Sequence, residues 1–189
     1  MPILGIIASQ ISGHLTPLDT GAMFPLGIVS VGSGGAADIE FTSIPSTYKH
    51  LQIRGISRSD SAGLNQLYFT FNSDTGSNYA NHILFGDGSS ATATKVQPAA
   101  RMSLGMHAGS SIAASIFGAC VVDILDYATA NKNRVARSLP GTDANGSGYV
   151  WYSSGLWVNT SAVTSIKIVP ENGNFVQYTQ FALYGIKGA

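Results

Sequence analysis

The chain has 189 residues, of which 44% are apolar and only 11% charged, against about 25% in an average soluble protein. Ten Lys and Arg balance ten Asp and Glu, so the chain lacks the net positive charge that drives nucleic-acid binding. Its length suits one domain with a substantial core, and near-zero net charge favours association. We therefore expect a member of an assembly, with a sparsely charged monomer as the alternative.

An apolar run opens the chain. Its four large aliphatic residues are Ile3, Leu4, Ile6 and Ile7. No basic segment precedes the run, and it is far shorter than the roughly 20 residues that span a bilayer, so it predicts neither a signal peptide nor a membrane span. Polar and turn residues follow as far as Pro25. We expect residues 1–25 to form an extended arm and linker whose apolar tip anchors the protein; a first core strand is the alternative.

The next segments alternate apolar and polar side chains, which is typical of strands with one buried face. Ile39 and Phe41 begin this pattern, and Pro45 ends it because proline has no N–H to donate to a sheet. Leu51 and Ile53 then alternate with polar neighbours in a second run. We expect a sheet corner at Pro45, with Leu51 and Ile53 pointing into the core.

Short runs of this kind, separated by Gly, Asn and Asp, continue to the end of the chain. The other predicted strands are 26–31, 67–71, 79–85, 115–125, 132–139, 149–158, 163–169 and 175–184, and one or two more are expected within 92–107. Residues 115–125 also fit a helix by periodicity, but their β-branched residues favour a central strand. About ten strands without a long amphipathic helix predict an all-β fold, a single β-sandwich of the jelly-roll type over residues 26–189.

Two loops superficially resemble ligand-binding motifs. Residues 32–35 are glycine-rich, but no Gly-Lys-Ser or Gly-Lys-Thr follows, so a hairpin turn is favoured over a phosphate loop. Residues 72–78 are rich in oxygen-bearing side chains, yet their spacing does not match a calcium-binding loop. We interpret this segment as a tight loop in which Asn, Asp and Gly adopt unusual backbone angles.

The residue types that usually carry catalysis are scattered. Cys120 is the single cysteine, and its apolar surroundings predict a buried, unreactive thiol. The four histidines are isolated, so no metal or cofactor site is predicted. Asp123 and Asp126 could serve as the carboxylate pair of a glycosidase, although pairing with Lys132, Arg134 or Arg137 at a strand end is the more economical interpretation.

The aromatic residues near residue 150 are the best candidates for ligand contact. These residues are Trp151, Tyr152 and Trp157. Exposed aromatic faces can stack on sugar rings, whereas buried Trp and Tyr fill cores and subunit interfaces. A glycan platform and an interface both remain open for these three.

Five segments are distinctive as a set: FTSIPSTYKHLQIRGISR, FNSDTGSNYANHILFGDG, VVDILDYATANKNRVARSL and QYTQFALYGIKGA, together with the opening MPILGIIASQISG. They resemble a family of tailed-bacteriophage virion structural proteins. The resemblance covers most of residues 1–13 and 36–189, and members occur in head decoration proteins and in tail or head fibres. It implies a virion component with a jelly-roll type fold, commonly trimeric, and supplies no active-site residues.

These observations lead to one expected function and two alternatives. We expect a non-enzymatic capsid decoration, or cement, protein, made in the host cytoplasm and bound to the outer surface of the phage head. Its expected partners are its own copies, as a homotrimer, and the major capsid protein or another virion protein, without cofactor, nucleic acid or membrane span. The first alternative is a short tail-associated or head-fibre adhesin that binds a host surface glycan. A polysaccharide depolymerase ranks last.

Overall fold

The computed structural model describes residues 21–188, and these residues form twelve strands and no helix. The strands are β1 (Met23–Ser30), β2 (Ile39–Phe41), β3 (His50–Ser57), β4 (Leu64–Phe71), β5 (Tyr79–Gly86), β6 (Ala91–Ala99), β7 (Met102–Ala108), β8 (Gly118–Leu125), β9 (Arg134–Asp143), β10 (Gly148–Trp157), β11 (Ile166–Pro170) and β12 (Gln180–Ile186). The all-β prediction is confirmed. The count exceeds about ten because residues 92–107 contribute to two strands, β6 and β7.

The strands form two antiparallel sheets of unequal width. The larger sheet has eight strands in the order β1-β12-β3-β8-β9-β10-β5-β6, and the smaller has four in the order β2-β11-β4-β7. Aromatic and aliphatic side chains from both sheets share one buried core. This arrangement confirms the predicted β-sandwich. Strand order alone does not establish the jelly-roll connections, which stay a prediction.

The predicted corner at Pro45 lies where the chain passes between sheets. Strand β2 belongs to the smaller sheet and β3 to the larger one, and Pro45 lies in the connection between them. The Tyr127 hydroxyl donates a hydrogen bond to the Pro45 carbonyl and so ties this connection to the loop after β8. Leu51 and Ile53 are both fully buried, which confirms their predicted inward orientation.

The region around Cys120 also matches its prediction. Strand β8 is paired on both sides, by β3 and β9, so it is a central strand. Cys120 is buried, and burial raises the pKa of its thiol to about 12, which keeps it protonated.

Gly55 on β3 has Phe181 packed so closely above it that an added Cβ would lie 2.3 Å from the ring, so β3 needs glycine there.

Of the two loops interpreted from the sequence, residues 32–35 differ from their prediction and residues 72–78 agree with theirs. The predicted hairpin at residues 32–35 is wrong, because the connection links β1 and β2, which belong to different sheets. The loop at residues 72–78 does use unusual backbone angles, since Asn72 and Ser73 have φ values of 50° and 57°. Asp74 holds this loop by accepting hydrogen bonds from the Gly76 N–H at 2.9 Å and from the Trp157 Nε1–H at 2.7 Å.

The predicted arm falls mainly on residues that the structure does not describe. Its anchoring residues, Ile3, Leu4, Ile6 and Ile7, lie outside the described residues. Strand β1 begins at Met23, so the last three residues of the predicted linker belong to the larger sheet. Within residues 21–188, no helix is long and apolar enough to cross a membrane.

Candidate functional site

The three candidate aromatic residues do not lie on one surface. Trp151 and Trp157 are 3% and 1% exposed, whereas Tyr152 is 41% exposed, because side chains alternate between the two faces of β10. Trp157 packs against Tyr79 with the rings nearly parallel. A single glycan platform built from all three residues does not fit this arrangement, although Tyr152 remains on the surface.

The two candidate carboxylates are each held by structural partners. Asp126 lies in the loop after β8 and pairs with Lys49 Nζ at 2.7 Å and Lys132 Nζ at 2.8 Å. Hydrogen bonds from both lysines hold the pKa of the Asp126 carboxyl well below its usual range. Asp123 lies on β8 and accepts a hydrogen bond from Gln52 Nε2 at 2.7 Å. The predicted partner Lys132 is confirmed, and Lys49 is an additional one.

The described histidines lie on three different strands. His107, on β7, is buried with its Nδ1 3.2 Å from Ser57 Oγ, and burial lowers its pKa to about 4. His50 accepts the Asp126 backbone N–H at 3.0 Å. Across residues 21–188, no group of three or more His, Cys, Asp and Glu side chains is placed to hold a metal ion.

Two buried arginines have structural roles that sequence reasoning missed. Arg58 donates hydrogen bonds to the backbone carbonyls of Ser110, Ile112, Ala113 and Ile116, at 2.6 to 3.3 Å. Arg134 is fully buried, and its guanidinium donates to backbone carbonyls of the loops that follow β8 and β10. The sequence contains one signal for the burial of Arg134: in the alternation along β9, it falls on the same face as the inward-facing Ala136.

An apolar surface occupies part of the outward face of the larger sheet. Its large side chains are between 38% and 66% exposed. We call it the outer-face band, and its residues are Ile56, Leu84, Val121, Leu139, Val150 and Tyr152. Val121 is paired with Leu139 across β8 and β9, and Leu84 is paired with Tyr152 across β5 and β10. The β9–β10 register places Leu139 beside Tyr152, so the band runs unbroken across four strands.

A polar row borders this band on the same face. Gln52 pairs with Asp123, Asp123 with Arg137, and Ser154 with both Arg137 and His82 in the strand registers. The apolar band and the polar row therefore lie side by side across β8, β9, β10 and β5. An apolar patch with a polar border is the usual anatomy of a protein–protein contact surface.

A separate cleft opens beside β7, at the edge of the smaller sheet. Nearly all of β6 is exposed on both faces, because the smaller sheet ends at β7 and does not cover it. The cleft has a volume of about 290 Å³ and lies between the inner face of β5 and β6 and the edge formed by β4 and β7. Trp151 is part of its lining, so this tryptophan contributes to a concave site and not to a flat platform.

Comparisons with known proteins give no family. No family model matches the chain, and no curated protein matches it. Among solved structures, the chain is similar to a mutant of the alginate lyase Aly36B in complex with an alginate tetrasaccharide. The identity is 10%, the alignment covers 86% of this chain and 75% of that chain, and the TM-score is 0.23. A similarity this low carries no argument about fold or activity.

Proposed function

We propose that this chain is a non-catalytic structural protein of a tailed-phage particle, and specifically a decoration protein on the outer surface of the head. Two independent observations support the proposal: the resemblance of several segments to phage virion proteins, and the outer-face band. The band carries most of the argument, because a contiguous apolar surface of this kind on a neutral chain favours burial against another protein.

The outer-face band acts in this proposal as the surface through which copies of the chain associate into a homotrimer. Leu139 and Tyr152 lie at its centre, and the polar row containing Asp123 and Arg137 forms a rim on one side. Burial of apolar area stabilises association by roughly 25 cal/mol per Å², and rim groups fix the register. Tyr152 is then an interface residue, which is one of its two predicted roles.

Attachment to the particle is assigned to the N-terminal segment. The segment joins the sandwich just before β1, which is an edge strand of the larger sheet. Its apolar residues, such as Ile3 and Ile7, would bind the major capsid protein or another virion protein. Many such contacts, repeated by the symmetry of the head, would hold neighbouring capsid subunits together.

The test is the copy number of the chain in purified particles, measured by quantitative mass spectrometry against the major capsid protein. A number comparable with that of the major capsid protein is expected for head decoration. A number matching a tail component would assign the chain to the tail-associated or head-fibre alternative instead. Absence of the chain from intact particles would overturn the structural role altogether.

A further inference from the structure

The cleft beside β7 has a rigid polar floor. Asn81 is almost fully buried; its Nδ2 donates to the Arg101 carbonyl at 3.0 Å, and its Oδ1 accepts the Ser103 N–H at 2.9 Å. These two hydrogen bonds fasten β5 to the exposed edge of β7 and fix the distance between the cleft walls. The site is therefore preformed, as ligand sites usually are.

One cation is presented to this cleft. Within the described residues, Arg101 is the one charged side chain of the lining, and its guanidinium carbon lies 3.8 Å from the centroid of the Tyr68 ring. The Tyr68 hydroxyl donates to Gln66 Oε1, which holds the ring beneath the guanidinium. Stacking of this kind orients the planar fork of an arginine, which is the geometry that pairs with a carboxylate.

The rest of the lining is apolar with neutral polar groups between. Ile83, Val96 and Trp151 contribute the apolar lining, and Thr94 and Gln66 contribute a hydroxyl and an amide. A sugar ring matches this mixture, because it has an apolar C–H face and a rim of hydroxyl groups.

We propose that the cleft binds a saccharide unit that carries a carboxylate, with the carboxylate on Arg101 and the apolar ring face toward Val96 and Trp151. The volume of about 290 Å³ is near the lower limit of ordinary ligand sites, so the cleft takes one or two sugar units at a time. This inference goes beyond the proposed structural function and does not depend on it.

The experiment is a titration of the isotope-labelled full chain with D-glucuronate, followed by shifts of the backbone amide signals of β5, β6 and β7. D-glucose and benzoate are titrated in parallel, since glucose lacks the carboxylate and benzoate lacks the hydroxyl rim. The variant Arg101→Gln removes the cation of the cleft. Lys95→Gln is the matched control, because Lys95 adjoins Val96 on the opposite face of β6 and does not line the cleft.

The proposal expects glucuronate to shift the cleft amides, Arg101→Gln to weaken its binding about tenfold, and Lys95→Gln to leave binding unchanged. Glucose should bind about tenfold more weakly than glucuronate, and benzoate no more tightly than glucose. Unshifted cleft amides, or equal binding by Arg101→Gln and wild type, would overturn the site. Tighter binding of benzoate than of glucuronate would overturn the saccharide assignment. None of these outcomes changes the particle copy number expected for the structural function. The saccharide site and the structural function can therefore each be refuted without the other.

Discussion

Replacing Leu51 or Ile53 by alanine should destabilise the fold far more than replacing Gln52, which lies between them on β3. Both aliphatic side chains are fully buried, and β3 is paired on both sides, by β12 and β8. The strand therefore cannot shift to fill the space that truncation leaves. We expect each alanine variant to lower the free energy of unfolding by about 2–5 kcal/mol.

Gln52 lies on the opposite face and contributes differently. Its Nε2 donates to Asp123 Oδ1 at 2.7 Å, and its Oε1 accepts from Arg54 Nε at 2.8 Å. Gln52 and Asp123 are half-buried and Arg54 is exposed. Water can therefore replace both hydrogen bonds when the Gln52 side chain is truncated. We expect Gln52→Ala to lower the free energy of unfolding by about 1 kcal/mol.

The assay is urea unfolding followed by circular dichroism, with all three variants at one protomer concentration because association adds to stability. If Gln52→Ala destabilises the protein more than Leu51→Ala does, the register of β3 is displaced by one residue and every inward assignment on it inverts. If Gln52→Ala leaves unfolding unchanged but splits the oligomer, the polar row belongs to the core of the interface and not to its rim.

Four further predictions concern separate features. Arg134→Met should lower the free energy of unfolding by more than about 3 kcal/mol in the same urea assay, because several buried carbonyls lose their donor. The pKa of His107 is about 4 in the folded protein and about 6.5 in the unfolded chain. The free energy of unfolding should therefore fall as the pH drops from about 6.5 to about 4, and this fall should be smaller in His107→Gln. Asp126→Asn should remove stability that is present above about pH 4 and lost below it, measured by urea unfolding against pH. Deleting residues 2–13 should leave the circular dichroism of the sandwich unchanged while reducing incorporation into particles.

Much of the strand pattern could be predicted because burial alternates residue by residue. Leu51 and Ile53 were placed correctly for this reason, and β8 was recognised as central from its β-branched residues. Lys132 was one of the three cations expected to pair with Asp123 or Asp126, and it forms an ion pair with Asp126. Local sequence carries all of these features.

The candidate sites could not be predicted, because they depend on sheet order. Strand β10 has large apolar or aromatic residues on both faces, so alternation alone could not say that Trp151 faces inward and Tyr152 outward. The outer-face band joins Val121 to Leu84 only through the order β8-β9-β10-β5, which sequence does not reveal. The cleft exists because β6, at the edge of the larger sheet, lies beyond β7, the edge of the smaller sheet. The unequal widths of the two sheets leave no local signal in the sequence.

The central claim is that the outer-face band joins copies of this chain, and the most direct test is light scattering on a pair of matched variants. Leu139 and Ile28 are 60% and 61% exposed, but Leu139 lies within the band and Ile28 lies on the edge strand β1. Wild type and Ile28→Lys should each give about three times the 19.7 kDa protomer mass at micromolar concentration, and Leu139→Lys should give the protomer mass. A wild-type monomer at every dilution, or a Leu139→Lys variant that keeps the full oligomer mass, would contradict the claim.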